Sequence, residues 1–92
     1  MPRQTLPVSL SEIIADYLAG LAAEAGLARN SIAAYKRDLT RCGLFLAEKG
    51  CLDWKDVTTE LIVDLIAASR LDGLAPASQV RLTSTLRGFL KW

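Results

Sequence analysis

The sequence predicts an all-α domain, a compact bundle of four helices. Three observations carry this. Apolar residues recur at steps of three and four along four separate stretches. Capping residues, glycines and one proline punctuate those stretches. No stretch alternates apolar and polar residues between turn signals, as a half-buried strand would. The 92 residues make one small domain and not two. A chain of that size buries roughly 60–65% of the surface it exposes when unfolded, enough to fold alone with a thin margin. Apolar residues are 51% of the chain, which argues against disorder.

Residues 1–8, with Pro2 and Pro7, read as a flexible lead-in, and residues 9–92 as the domain. Ser9 and Glu12 have the S-x-x-E spacing of a capping box, and Val8 and Ile13 the spacing of a hydrophobic staple. The first helix is expected over about 10–25, with Leu10, Ile14, Tyr17, Leu18 and Leu21 on one face and Gly26 as its stop. The second is expected over about 29–49, with a stripe of Ile32, Tyr35, Leu39, Cys42 and Leu46, closed by Gly50. The connector 51-CLDWKDV-57 follows. Its Trp54 reads as a lid folded back on the core, the other reading being an exposed stacking residue. Thr58 is the expected N-cap of a third helix over about 59–71. Leu61, Ile62, Leu65, Ile66 and Ala68 surround much of that helix, so it is expected to be the most buried of the four. Gly73 breaks it. Pro76 fits the first position of a fourth helix, whose core face is Leu82, Leu86, Phe89 and Leu90. No stop signal precedes Trp92, which reads as a fragment cut from a longer protein.

Composition excludes several functions. The chain has no histidine and only two cysteines, Cys42 and Cys51, which form no CxxC pair. Zinc sites of the usual Cys/His kind are therefore excluded, and no cofactor is expected. Cys42 reads as a buried core thiol and Cys51 as a partly exposed free thiol. The apolar runs are far shorter than the ~20 residues of a membrane span, and the N-terminus lacks a signal-peptide core. A cytoplasmic protein that does not engage membranes is expected. With no histidine, phosphate loop or paired carboxylates, an enzyme is poorly supported.

The charge is segregated. The net charge is only +1, yet residues 9–26 carry three acids and no base. Residues 27–50 carry five bases against two acids, residues 51–75 two against five, and residues 76–92 three bases and no acid. The second and fourth helices are basic; the first and third are acidic. At 100° per residue, Arg29, Lys36, Arg37 and Arg41 span an arc of about 140° opposite the second helix's apolar stripe. Arg81, Ser84, Arg87 and Lys91 lie on the arc of the fourth helix that faces away from Leu82, Leu86 and Phe89. If the two helices are neighbours, the arcs merge into one positive surface. Ordinary solvated faces on a small domain would give the same pattern. Helix-dipole compensation accounts for Lys49 and Lys91 late in their helices but not for Arg29, Lys36 or Arg37 in the first half of theirs.

The run 27-LARNSIAAYKRDLTRCGLFLAEKG-50 resembles the second-helix pattern of tyrosine recombinases of the Xer and phage-integrase type. The runs 57-VTTELIVDLIAASRLDGLA-75 and 78-SQVRLTSTLRGFLKW-92 resemble two later segments of the same domain, in the same order and spacing. The likeness covers roughly residues 9–92. It implies the N-terminal core-binding domain, a SAM-like orthogonal bundle that clamps one side of duplex DNA while a separate C-terminal catalytic domain clamps the other. In that family the second and fourth helices meet the major groove and its flanking phosphates. The family's arginine-rich active site and tyrosine nucleophile match nothing here. Tyr35 matches a structural tyrosine, so this chain alone is expected to cleave nothing. Ser31 stands where threonine is usual. Ala28 and Ala75 stand where the family often has a capping serine, which weakens each helix start by about 1 kcal/mol. Gly88 costs roughly another 1 kcal/mol relative to alanine.

The expected DNA-binding residues are Arg29, Asn30, Lys36, Arg37 and Arg41 on the second helix, and Ser78, Gln79, Arg81, Ser84 and Arg87 on the fourth. Lys36, Arg37 and Arg41 are the leading phosphate contacts. Arg29 and Asn30 sit at a helix N-terminus, where backbone N–H groups favour an anion. Gln79 and Arg81 have the donor and acceptor chemistry to read base edges. Arg87 fits a phosphate or an acidic partner. The partners implied are double-stranded DNA, the parent's catalytic domain and other protomers in a synaptic complex, the isolated chain being a monomer. The alternative is a helical protein–protein interaction module, its acidic first helix docking a basic partner.

Overall fold

The computed structural model of the chain describes residues 6–24 and 26–91. Four helices account for most of them: α1 (Val8–Glu24), α2 (Arg29–Glu48), α3 (Thr59–Leu71) and α4 (Pro76–Lys91), with a short 3-10 helix at Trp54–Asp56. No strand occurs among the described residues, and the fold is all-α. Ala25 and Trp92, expected at the ends of the first and fourth helices, lie outside the described residues, as do positions 1–5 of the expected lead-in.

The helix stops are local chemistry. Gly50 has φ +80° and Gly73 φ +86°, left-handed values that a side chain disfavours. Each glycine closes the same pair of bonds. Gly50 N donates to Ala47 O and Cys51 N to Leu46 O; Gly73 N donates to Arg70 O and Leu74 N to Ser69 O. The N-cap of α3 is Thr58, whose Oγ1 accepts from Leu61 N at 3.2 Å. Ala28 caps α2 with no side-chain hydrogen bond.

The start of α1 departs from expectation. The carbonyl of Pro7 accepts from Leu10 N and Ser11 N, so the helix begins at Val8 and Ser9 lies inside its first turn. The Ser9–Glu12 capping box does not form. Ser9 Oγ instead donates to Leu52 O at 2.7 Å, tying α1 to the loop after α2. Val8 and Ile13 are both exposed, so the staple is not made either. Leu6 takes the inward place and packs against the core. Gly43 on α2 admits it, because a Cβ there would stand 2.5 Å from Leu6 Cδ1.

The core is built from Leu10, Ile14 and Leu18 of α1, Leu39, Cys42 and Leu46 of α2, Leu65 of α3, and Leu82, Leu86 and Phe89 of α4. Trp54 closes it as the expected lid: its ring meets Phe89 edge-on, with centroids 4.6 Å apart, and its Nε1 donates to Leu10 O at 3.0 Å.

Three packing expectations are corrected. The helix with the thinnest burial is α3, not the thickest: only Leu65 and Ser69 are buried, while Val63 is 59% and Leu71 88% exposed. It packs against α2 and α4, with Leu61 and Ile62 half-buried against the core and Val63 and Leu71 turned to solvent. Cys51 is buried, because the turn at Gly50 swings it back over Leu46, and its Sγ donates to Asp53 O. Leu90 is exposed, since it stands about 100° around the helix from Phe89; Thr85 is buried on the inward face instead.

Candidate nucleic-acid interface

The helices α2 and α4 pack directly against each other. Of the bases on α4, Arg81 lines the same groove as Lys36, Arg37 and Arg41 of α2. Arg29, Asn30, Lys36, Arg37 and Arg41 are exposed on α2; Arg81, Ser84, Arg87 and Lys91 are exposed on α4, and Ser78 and Gln79 are half-buried at its start.

The junction of the two helices is a charged fork. Asp38, near the middle of α2, is 5% exposed. Arg81 Nε donates to its Oδ2 at 2.8 Å, and Arg81 Nη2 to its Oδ1 at 2.9 Å. Thr85 Oγ1 approaches Oδ2 at 3.5 Å. A planar guanidinium meeting both carboxylate oxygens fixes distance and rotation together. The hydrogen bonds to Asp38, and secondarily its charge, push the Arg81 pKa further up, so the guanidinium stays charged.

An open groove of about 640 Å³ runs beside this junction, between α2, α3 and the start of α4. Lys36, Arg37, Arg41 and Arg81 line it, and Leu44 and Phe45 are among its apolar lining. Arg41 faces Asp72 across it at 3.7 Å; both are well exposed, and such a pair contributes little stability. On the other side of Arg81 a smaller recess of about 220 Å³ is lined by Tyr17, Tyr35 and Ser84. Gln79 is engaged within the protein: its Nε2 donates to Leu74 O at 2.7 Å, bracing the turn into α4.

The two residues with base-reading chemistry, Gln79 and Arg81, thus both have protein partners, whereas no side-chain ion pair or hydrogen bond is formed by Lys36, Arg37 or Arg87 among the described residues. The residue that sequence reading passed over is Asp38. Its signal was present: an acid one position before Leu39 and one turn before Cys42, on the border of the apolar stripe. Cys42 is no nucleophile. Burial, and secondarily the charge of Asp38, push its thiol pKa up to about 12.

Residues 14–92 match the phage integrase N-terminal SAM-like domain. The chain belongs to that family. It is similar to the curated tyrosine recombinases XerD of Proteus mirabilis, at 38% identity over 87% of this chain, and of Ralstonia nicotianae, at 38% identity over 95%. XerD of Listeria monocytogenes is 32% identical over 90% of the chain. The chain spans only 25% of the Proteus protein and 28% of the other two. No solved structure matches it with significance. No helix among the described residues is long and apolar enough to cross a membrane.

Proposed function

We propose that this chain is the DNA-binding N-terminal domain of a site-specific tyrosine recombinase, and that it clamps one side of duplex DNA through α2 and α4. One observation carries the reading: the two helices on which cations are concentrated pack side by side. Lys36, Arg37, Arg41 and Arg87 supply the main phosphate contacts, with Arg29 and Asn30 at the N-terminus of α2. Ser78, Gln79, Arg81 and Ser84 flank them. Most of these contacts hold the duplex in place and choose no sequence. Strand cleavage belongs to a catalytic domain elsewhere in the parent protein, which works in the cytoplasm with other protomers; this domain by itself performs no catalysis.

The test is fluorescence anisotropy of a labelled duplex over a range of salt. Phosphate binding gives an affinity that falls linearly on a log–log plot, with a slope of about −0.9 for each phosphate neutralised. A flat or absent response contradicts the reading. A second reading, a protein-interaction module, is favoured by the exposed Val63 and Leu71 on α3; it predicts a shallow salt dependence toward a protein partner.

A further inference from the structure

Asp38 is out of place on a phosphate-binding surface. It lies between Arg37 and Leu39, next to the basic groove, and its negative charge opposes an incoming phosphate. It is also buried, which disfavours a carboxylate unless it is well paired. Both objections are met by the fork to Arg81, which lies 43 residues away on α4. Arg81 walls both the groove and the smaller recess, so it stands at the hinge line of the surface where α2 meets α4. Its guanidinium uses two of five N–H donors on Asp38 alone, through two atoms, in a geometry that resists both sliding and rotation.

We propose that Arg81 is a positioning residue for the DNA-facing surface: acting through Asp38, it holds α4 against α2 so that Arg37 and Arg41 on one helix and Arg87 on the other meet the same duplex. It does not itself neutralise a phosphate. This rests on the DNA-binding reading above. It makes a prediction opposite in sign to simple electrostatics. Removing the negative charge of Asp38 beside a basic groove should tighten binding to a polyanion, whereas loosening the junction should weaken it.

The experiment is anisotropy with a fluorescein-labelled duplex at several salt concentrations, for the wild-type chain, Asp38→Asn, Arg81→Lys, Arg81→Gln, the Asp38→Asn/Arg81→Lys pair, and Arg37→Gln as the control. Binding is measured at a temperature where circular dichroism shows each variant fully folded, so lost stability does not enter. Asp38→Asn and Arg81→Lys are each expected to weaken binding about three- to tenfold, and the pair no more than either alone, because both remove one coupled element. Arg81→Gln is expected to leave the salt slope unchanged, while Arg37→Gln reduces it by about 1. Tighter binding by Asp38→Asn, or a slope reduced by Arg81→Gln as much as by Arg37→Gln, overturns the proposal. Should Asp38→Asn not fold, the exposed Arg81 variants decide it alone. A wild-type chain that shows no salt-dependent binding overturns the underlying reading instead, and the proposal with it.

Discussion

The indole Nε1 of Trp54 donates to the backbone carbonyl of Leu10 at 3.0 Å, across 44 positions of sequence. This bond joins the connector after α2 to the first turn of α1, while the indole ring lies edge-on to Phe89 of α4. One side chain therefore links three parts of the chain. Trp54→Ala is expected to destabilise the domain by about 3–5 kcal/mol. Trp54→Phe keeps much of the ring contact, loses the donor and costs about 1 kcal/mol for the bond. Chemical denaturation separates the two; equal losses would mean that the ring contact with Phe89 contributes nothing.

Leucines of the same size differ sharply in place. Leu82 is 1% exposed at the centre of α4, and Leu71 is 88% exposed at the end of α3. Leu82→Ala is expected to cost about 2–5 kcal/mol, and Leu71→Ala to stay within about 0.5 kcal/mol of the wild type. Thermal melts of the two variants check this. A large loss at Leu71 would show that α3 is buried more deeply than its one packed face implies.

Gly43 and Leu6 are expected to be coupled. A methyl at Gly43 meets Leu6 Cδ1, the end of a half-buried side chain packed on the core, at 2.5 Å. The overpacking costs about 1–3 kcal/mol, against a gain of about 1 kcal/mol from replacing a mid-helix glycine. Gly43→Ala should therefore lower stability in the wild type and do so less, or not at all, alongside Leu6→Ala. Additive effects in that double-mutant cycle would contradict the contact.

Stability should fall in alkali through Cys42. Its thiol has an ordinary pKa of 9.0 and is raised in the folded chain to about 12, chiefly by burial. The unfolded chain therefore loses this proton at lower pH than the folded one. The contribution is fully present below pH 9.0 and is lost as pH rises toward about 12. Cys42→Ala should show a flatter decline over that window. The same burial predicts no labelling of Cys42 by iodoacetamide at neutral pH without denaturant. Rapid labelling of the native thiol would refute both expectations.

Much of this fold was legible because its signals are local. The glycines at 50 and 73, the cap at Thr58 and the proline at 76 set helix ends through residues a few positions apart, and each end lies close to where those signals put it. The exceptions arise where distant segments decide. Ser9 looked like a cap, but the carbonyl of Pro7 takes that role and Ser9 reaches Leu52. The apolar circumference of α3 promised deep burial, but periodicity cannot tell which helix lies at the edge of a bundle. Cys51 is turned inward by the glycine before it.

For the candidate site, sequence reading reached the level of helices and not of side-chain partners. The segregation of charge pointed to α2 and α4, which pack together, with Arg81 sharing a groove with Lys36, Arg37 and Arg41. The fork between Asp38 and Arg81 was hidden, because a pairing over 43 positions leaves no trace in helical spacing. Gln79 and Arg81 looked like base readers for the same reason: their chemistry is visible in sequence and their partners are not.

The most direct test of the central claim is an NMR titration of the domain with a short duplex at low and high salt. Amide shifts are expected to be confined to residues 29–41 and 78–91 and to diminish steeply as salt rises. Shifts centred on α1 and α3, or none at low salt, would contradict it.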